Sequence, residues 1–189
     1  MNKGNPLKSV TLPTLITLSR FAVIPLIMLL LLSSSGWTGL LAGILITLAG
    51  ITDFMDGYLA RYYKVETDLG KFLDPLADKV LVVSALIMLS ALSRVHAILV
   101  VIIVCREIFI TGLRAIASNE GIVIAASQLG KYKTFLQICA IVGLSVHETY
   151  FGFNFQAVGL ILIYISLGFS LYSAYEYVKL FFDKILQRS

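Results

Sequence analysis

The sequence predicts an all-α polytopic membrane protein with six transmembrane helices. Its 189 residues are 58% hydrophobic and 14% charged, with a mean hydropathy of +0.90, whereas soluble domains are about 45–50% apolar. Six apolar segments alternate with short polar links, and a single crossing needs about 20 apolar residues. We therefore expect residues 1–189 to form one membrane domain without an appended soluble domain.

The six predicted helices follow one another along the chain. The first comes after a polar N-terminal segment that lacks the cleavage pattern of a signal peptide, so we expect it to be retained. The second segment ends where an acidic region begins, and the third segment starts within that region. The fourth follows a short link and carries Arg106, with Arg114 just beyond its end, and a pair of lysines precedes the fifth. The predicted segments are Leu15–Leu32, Trp37–Thr52, Leu73–Leu92, His96–Gly112, Thr134–Val146 and Phe155–Val178.

The basic residues indicate how these helices are oriented. An even number of crossings places both termini on one side of the membrane. All but one of the 15 Lys and Arg residues fall on or near that side, and Arg94 lies opposite. By the positive-inside rule, both termini and the acidic region face the cytoplasm. The net charge of +4 therefore reports topology, and we expect no nucleic-acid partner.

Four aspartates form an acidic region that extends from the end of the second segment into the start of the third. Asp53 and Asp56 are three residues apart and Asp74 and Asp78 are four apart, so each pair lies on one face of a helix. The intervening segment is short enough to reverse the chain, with Gly70 available for the turn, so the two pairs can meet in one pocket. Because an ionised carboxylate near hydrocarbon costs at least about 2.5–3.5 kcal/mol, something must neutralise this group.

Divalent metal is the neutralising partner that this set of ligands favours. Carboxylates without a neighbouring His or Cys suit Mg²⁺, Mn²⁺ or Ca²⁺. Two ions about 4 Å apart would bridge a diphosphate, while a spare carboxylate takes the proton of the nucleophile. Pairing with Arg61, Lys71 and Lys79 is the alternative, but it does not explain the small residues Gly57 and Ala60. We therefore expect phosphoryl-type transfer at the membrane surface.

The spacing of these residues resembles the motif of the CDP-alcohol phosphotransferases, D-x2-D-G-x2-A-R-x8-G-x3-D-x3-D. Its eight fixed positions are all filled, by Asp53, Asp56, Gly57, Ala60, Arg61, Gly70, Asp74 and Asp78. The resemblance implies a six-helix membrane enzyme, usually a homodimer, in which an alcohol displaces CMP from a CDP-linked lipid. It further implies Mg²⁺ or Mn²⁺ as cofactor, two ions in all, held by Asp53, Asp56 and Asp74. Asp78 would be the general base and a further metal ligand.

Three other segments resemble the bacterial phosphatidylglycerophosphate synthases of this family. They are G-K-F-L-D-P-L-A-D-K at 70–79, R-E-I-F-I-T-G-L-R at 106–114 and G-K-Y-K-T-F-L-Q at 130–137. This likeness implies transfer from CDP-diacylglycerol to glycerol 3-phosphate in the bacterial cytoplasmic (inner) membrane. It begins at Thr11, which replaces a usual Asn, and beyond about Gln137 only hydropathy matches. A sibling enzyme that uses inositol phosphate, serine or phosphatidylglycerol is one alternative, and a cation transporter is another.

Four cations are candidates for binding the phosphate of the acceptor: Arg106, Arg114, Lys131 and Lys133. The two arginines are eight residues apart on one helix, and the lysines open the next crossing from the same side, so the four can form one basic pocket. The alternative for all four is snorkelling to anionic lipid headgroups. For Arg106, an ion pair with Glu107 is a further alternative.

The donor lipid has its own candidate residues. Arg61 would clamp the diphosphate, and Gly57 and Ala60 would leave room for cytosine or ribose. The remaining candidates for the CDP-lipid site are Thr67, Gly70, Pro13, Thr14 and Arg20.

Two features outside these sites allow further predictions. Three tyrosines near the C-terminus, Tyr172, Tyr175 and Tyr177, are expected to form an aromatic belt at the membrane interface. The small residues that begin at Gly39 suit either a contact between subunits or packing within one subunit.

Overall fold

A computed structural model describes residues 12–33, 35–63, 68–121, 128–150 and 152–186, and the side chains of residues 12–20, 53–63, 68–75, 78, 128, 131 and 150 fall outside that description. The described residues form six helices and one small hairpin. The helices are α1 (Leu12–Leu32), α2 (Gly36–Tyr63), α3 (Asp68–Ala91), α4 (Ala97–Asn119), α5 (Gln128–Val146) and α6 (Phe155–Leu186). Between α5 and α6, β1 (Thr149–Tyr150) pairs antiparallel with β2 (Phe153–Asn154).

The all-α class and the order of the six helices are confirmed, but the helices are longer than the apolar segments. α2 continues beyond Thr52 to Tyr63, and α3 begins at Asp68 rather than Leu73. Gly70 therefore lies inside α3, and the prediction that it supplies the turn is wrong. An Asp at the first position favours a helix start there, because a negative charge stabilises the positive end of the helix dipole. The link between α2 and α3, residues 64–67, lies outside the described ranges.

One helix of the described residues, α6, is long and apolar enough to cross a membrane by length and composition. Shorter apolar stretches lie in four other helices, at Phe21–Leu32, Gly36–Thr52, Lys79–Ala91 and Tyr132–Val146. The number of crossings therefore stays a prediction.

One hydrophobic core joins all six helices. Its most deeply buried members include Ile27, Ile46, Leu86, Ile103, Leu144 and Ile163. A second, smaller cluster of Ala117 and Phe181, with Leu113 against it, joins the C-terminal parts of α4 and α6. The two clusters fix α4 and α6 relative to each other along the length that carries the candidate acceptor arginines.

The most extensive helix contact is between α5 and α6, and it depends on two glycines. A Cβ added to Gly159 would lie 2.8 Å from the backbone nitrogen of Leu144 and 3.0 Å from the carbonyl oxygen of Ala140. A Cβ added to Gly143 would lie 3.1 Å from the Cα of Gly159. Because backbone atoms cannot move aside as a flexible side chain can, only glycine fits at this crossing.

The small residues that begin at Gly39 pack within the subunit. A Cβ on Gly39 would overlap the carbonyl oxygen of Ser145, and one on Gly43 would lie 3.3 Å from a methyl carbon of Val146. Both neighbours belong to α5. Of the two interpretations of this face, the structure therefore supports packing inside one chain.

Arg94, the cation predicted on the far side, caps helix α5. Its Nη1 donates to the carbonyl oxygens of Ser145, at 2.8 Å, and Leu144, at 3.3 Å. A cation at this end satisfies terminal carbonyls and meets the negative end of the helix dipole. Burial lowers the pKa of Arg94 from its ordinary value. The position of this charge thus has a structural reason that is independent of topology.

Candidate functional site

The motif residues lie on two consecutive helices. Asp53, Asp56, Gly57, Ala60 and Arg61 belong to the last turns of α2, and Gly70, Asp74 and Asp78 belong to the first turns of α3. Their side chains lie outside the described part of the structure, and Thr67 lies outside it entirely. Pro13, Thr14 and Arg20 lie on α1, where side chains are likewise not described. The two aspartate pairs thus stand on neighbouring helices that contact each other.

The metal prediction depends on those four aspartates. Among the side chains that the structure describes, no group of three or more His, Cys, Asp or Glu is placed to hold a metal ion, and the motif aspartates are not among those side chains. The set of ligands itself fits the expected ions, because four carboxylates on adjoining helix ends are hard oxygen ligands for Mg²⁺ or Mn²⁺.

A cavity of about 400 Å³ opens next to the motif. Gly50 of α2, which lines it, precedes Asp53 by three residues, and Lys79 of α3, which also lines it, directly follows Asp78. Its other lining residues from these two helices are Ala49, Leu81, Val82 and Val83. The lining residues from α4, α5 and α6 are Arg106, Glu107, Ile110, Thr111, Arg114, Gly130, Lys133, Thr134, Gln137, Ile138 and Ser173. The cavity therefore adjoins both halves of the aspartate motif.

The structure brings together three of the four cations predicted to bind the acceptor phosphate. Arg106 and Arg114 reach the cavity from α4 and Lys133 reaches it from α5. The fourth, Lys131, is on α5, and its side chain is not described. Lys79 adds a further cation, and its Nζ donates to the Thr111 hydroxyl at 2.7 Å. The cavity is thus strongly basic beside an acidic motif.

Glu107 is a carboxylate that pairs with two of these cations, Arg106 and Lys133. Its Oε1 accepts a hydrogen bond from Arg106 Nη1 at 3.1 Å and forms an ion pair with Lys133. The side chains of Arg106, Glu107 and Lys133 are 8%, 15% and 7% exposed. The ion pair of Arg106 with Glu107, which was the alternative to phosphate binding, is present in the structure. Snorkelling of Lys133 is wrong, because this side chain is buried against α4 instead of reaching out of the bundle.

Helix α6 orients Arg106 from the other side. Arg106 Nε donates to the carbonyl oxygen of Ser170 at 2.9 Å, and Nη2 donates to the hydroxyl of Ser173 at 3.0 Å. Together with the bond to Glu107, these contacts use three of the five N–H donors of the guanidinium. The same helix supports Lys133, whose carbonyl oxygen accepts a hydrogen bond from the Ser166 hydroxyl at 3.0 Å.

Helix α6 also positions Arg114. The guanidinium carbon lies 5.4 Å from the centroid of the Tyr177 ring, within the range of a cation–π interaction. Tyr177 is buried, so its predicted place in an aromatic belt is wrong, whereas Tyr172 and Tyr175 are exposed. Ser173 and Tyr177 are four residues apart on α6, so one face of this helix meets both arginines of α4.

The contribution of α6 is the part of the site that the sequence-based prediction missed. A signal was present, because Ser166, Ser170, Ser173 and Tyr177 follow one another at spacings of four, three and four residues on a predominantly apolar helix. Such a polar stripe marks a helix face that bonds to a neighbour. Glu107 was considered as a partner for Arg106 alone, and its contact with Lys133 needs the packing of α4 against α5.

The chain is similar along most of its length to known proteins. Residues 10–172 match the family model described as CDP-alcohol phosphatidyltransferase. A protein of Bacillus subtilis (strain 168) is 40% identical over 178 residues, which cover 88% of this chain and 92% of the relative. One of Rickettsia bellii (strain RML369-C) is 39% identical over 171 residues, covering 89% and 93%.

A more distant relative from Arabidopsis thaliana is 30% identical over 195 residues, covering 96% of this chain and 84% of the relative. The two bacterial relatives are named CDP-diacylglycerol--glycerol-3-phosphate 3-phosphatidyltransferase, and the plant protein has the same name followed by the numeral 2. On the match to the family model and the identity over nearly the full length, the chain belongs to the CDP-alcohol phosphatidyltransferase family, which consists of polytopic membrane enzymes.

Proposed function

We propose that this chain transfers the phosphatidyl group of CDP-diacylglycerol to glycerol 3-phosphate, forming phosphatidylglycerophosphate and CMP in phospholipid biosynthesis. The names of the three relatives support this activity. The structural observation that carries the proposal is the basic cavity beside the motif helices. Its volume of about 400 Å³ lies in the range of roughly 300–1,000 Å³ that is usual for small-molecule sites.

The acceptor phosphate is held by cations whose hydrogen-bonding capacity is still available. Arg114 has an aromatic ring behind it and no carboxylate partner among the described residues, so its N–H groups can face the ligand. Lys133 has donors beyond the one used by Glu107. Lys131 is the third candidate. Arg106 acts mainly as a positioning residue, because its bonds to Glu107 and α6 keep Lys133 in place.

The donor lipid binds at the motif. Asp53, Asp56, Asp74 and Asp78 would hold two Mg²⁺ or Mn²⁺ ions, which would supply positive charge to the diphosphate and to the leaving oxygen. Arg61 adds a bidentate donor for the diphosphate. The residues proposed to shape the rest of the CDP-lipid site are Gly57, Ala60, Thr67, Gly70, Pro13, Thr14 and Arg20.

Asp78 is the general base of the reaction. It takes the proton of the primary hydroxyl of glycerol 3-phosphate, whose oxygen then bonds to the phosphorus that carries diacylglycerol. The bond from this phosphorus to the oxygen of CMP breaks, and CMP leaves with the electron pair. Asp78 directly precedes Lys79, which lines the cavity, and this neighbourhood supports a base near the proposed acceptor site.

The chain is proposed to be one domain, residues 1–189, that crosses a bacterial cytoplasmic membrane six times, with both termini and the active site on the cytoplasmic side. Large apolar side chains are exposed on every helix whose outer surface is described, which is unusual for a soluble monomer. They include Leu29, Ile44, Ile87, Ile108, Phe109, Phe135, Ile161 and Tyr164. A homodimer, which the family resemblance implies, would use a face other than that of Gly39 and Gly43, because α5 covers it.

The test is an acceptor panel with purified protein. CDP-diacylglycerol and Mg²⁺ are incubated with glycerol 3-phosphate, inositol phosphate, serine or phosphatidylglycerol, and CMP and the lipid product are measured. We expect product with glycerol 3-phosphate alone, loss of activity with EDTA and its return with Mg²⁺ or Mn²⁺. Product with another acceptor would indicate a sibling enzyme. No release of CMP with any acceptor would favour the alternative of a cation transporter.

The same assay tests the general base. Asp78→Asn should lower the rate by about 10²–10⁴-fold, the usual contribution of a positioned base. Asp183→Asn changes an exposed carboxylate near the end of α6 and is the matched control, which should retain full activity. Equal rates for wild type and Asp78→Asn would exclude the role of Asp78 as base.

A further inference from the structure

Gln137 is a neutral hydrogen-bond donor inside the basic cavity. It lines the cavity and is only 4% exposed. Its Nε2 is buried and has no hydrogen-bond partner among the residues that the structure describes. Buried polar groups in proteins nearly always have a partner, and a group left unpaired calls for a specific explanation. Because Gln137 lines the cavity, a ligand atom that accepts a hydrogen bond would supply the missing partner.

The position of Gln137 indicates which part of the ligand it meets. It follows Lys133 by four residues on α5, so it lies on the same face, one turn further into the bundle. Lys133 and Arg114 supply positive charge to the cavity, whereas Ile138, the residue after Gln137, and Ile110 are apolar parts of its lining. An amide carries no charge to balance a phosphate, but it can donate to a hydroxyl oxygen.

Resting on the proposed function, we infer that Gln137 is a specificity-determining residue that donates from Nε2 to the secondary hydroxyl of glycerol 3-phosphate. The amide thereby selects a phosphorylated polyol over a phosphorylated simple alcohol. A site built to hydrogen-bond a substrate hydroxyl discriminates strongly against an analogue without it, because the buried polar group of the protein is then left unpaired.

The probe for this inference is 3-hydroxypropyl phosphate. It keeps the phosphate and the primary hydroxyl of glycerol 3-phosphate but lacks the secondary hydroxyl. For the wild type, kcat/KM with glycerol 3-phosphate should exceed kcat/KM with the probe by at least about tenfold. In Gln137→Leu, which has similar volume and no donor, this ratio should fall to about one, through loss of activity with glycerol 3-phosphate while activity with the probe persists.

A second glutamine provides the matched control. Gln156 lines a separate cavity of about 300 Å³ at the opposite end of the bundle, so Gln156→Leu should keep the wild-type ratio. If Gln137→Leu is not obtained as a folded protein, Gln137→Met keeps the length of the side chain and is assayed in the same way. For either variant, binding is followed independently as the rise in Tm caused by each phosphate compound.

The outcomes separate this inference from the proposed function. A Gln137 variant that loses the same factor with both acceptors, or keeps the wild-type ratio, would refute the specificity role and leave the activity standing. A wild type that uses glycerol 3-phosphate and the probe equally well would also refute the specificity role and leave the activity standing. A wild type that uses neither compound but makes lipid from another acceptor would refute the proposed function itself, and this inference with it.

Discussion

Arg106 on α4 donates a hydrogen bond from Nη2 to the hydroxyl of Ser173 on α6, at 3.0 Å. Both residues are buried, and the Ser170 carbonyl accepts a second bond from the same guanidinium at 2.9 Å. Helix α6 therefore fixes an arginine that lines the cavity proposed to bind the acceptor. A helix with no part of the aspartate motif thus helps to shape the active site that we propose.

Removal of the Ser173 hydroxyl should weaken acceptor binding. A hydrogen bond to a charged group contributes about 1.5–3 kcal/mol, so Ser173→Ala should raise the KM for glycerol 3-phosphate by roughly 10–100-fold. The KM for CDP-diacylglycerol should stay near the wild-type value, because Arg106 lies among the acceptor cations. Ser118→Ala, at an exposed position near the end of α4, is the control. An unchanged KM for the acceptor in Ser173→Ala would contradict the positioning role.

The ring of Tyr177 should contribute more to acceptor binding than its hydroxyl does. Arg114 lies over the ring, at 5.4 Å from its centroid, and a cation–π contact of this kind contributes about 0.5–2 kcal/mol. Tyr177→Phe retains the ring and should keep a nearly normal KM for glycerol 3-phosphate, whereas Tyr177→Leu should raise it several-fold. Steady-state kinetics of the two variants measures these KM values. Equal effects of Phe and Leu would point to the hydroxyl instead.

Glu107 should be coupled energetically to Lys133. Glu107→Gln leaves two buried cations without their carboxylate, and the loss of one partner of a buried ion pair typically costs about 3–5 kcal/mol of stability. The Tm in detergent should therefore fall. The double variant Glu107→Gln with Lys133→Gln removes both charges of the Glu107–Lys133 pair. It should recover part of the lost stability, while acceptor binding stays impaired. Additive losses of stability in the double variant would mean that the pair is not coupled.

Even one methyl group added at the crossing of α5 and α6 should lower the stability of the protein. In Gly159→Ala the new Cβ would lie 2.8 Å from the Leu144 backbone nitrogen, and overpacking of this kind costs about 1–3 kcal/mol. Gly168→Ala is a control on the same helix, where a Cβ meets nothing within 4 Å. It should raise stability by up to about 0.5–1 kcal/mol through helix propensity. Thermal unfolding in detergent measures both, and a similar Tm for the two variants would contradict the packing shown.

The sequence was sufficient to predict the six helices and the motif, because apolar length and fixed spacing are local properties. It was insufficient for the helix ends, since hydropathy falls where charges begin although the helical backbone continues to Tyr63. The hairpin at Thr149–Asn154 was also missed. Its two-residue strands are too short to show an alternating pattern, and Gly152, with φ of +80°, is its one strong local turn signal.

The contacts of the cavity could be predicted only in part, because they depend on which helices meet. Arg106, Arg114 and Lys133 were expected to converge from their charge and their common side of the bundle. The role of Tyr177 was assigned wrongly, since an aromatic residue near a helix end is typical of an interface belt, and its burial against Arg114 follows from the contact of α4 with α6. Arg94 likewise acquires its capping role only when α5 ends beside it.

We propose that the basic cavity binds the acceptor, and Arg114→Gln is the variant that tests this claim. Initial rates of phosphatidylglycerophosphate formation are measured against glycerol 3-phosphate and, separately, against CDP-diacylglycerol in mixed micelles. Because the variant loses a charge-assisted donor to the phosphate, we expect the KM for glycerol 3-phosphate to rise by about tenfold or more, while the KM for CDP-diacylglycerol stays within about twofold of wild type. A normal KM for glycerol 3-phosphate, or a rise confined to CDP-diacylglycerol, would contradict the claim.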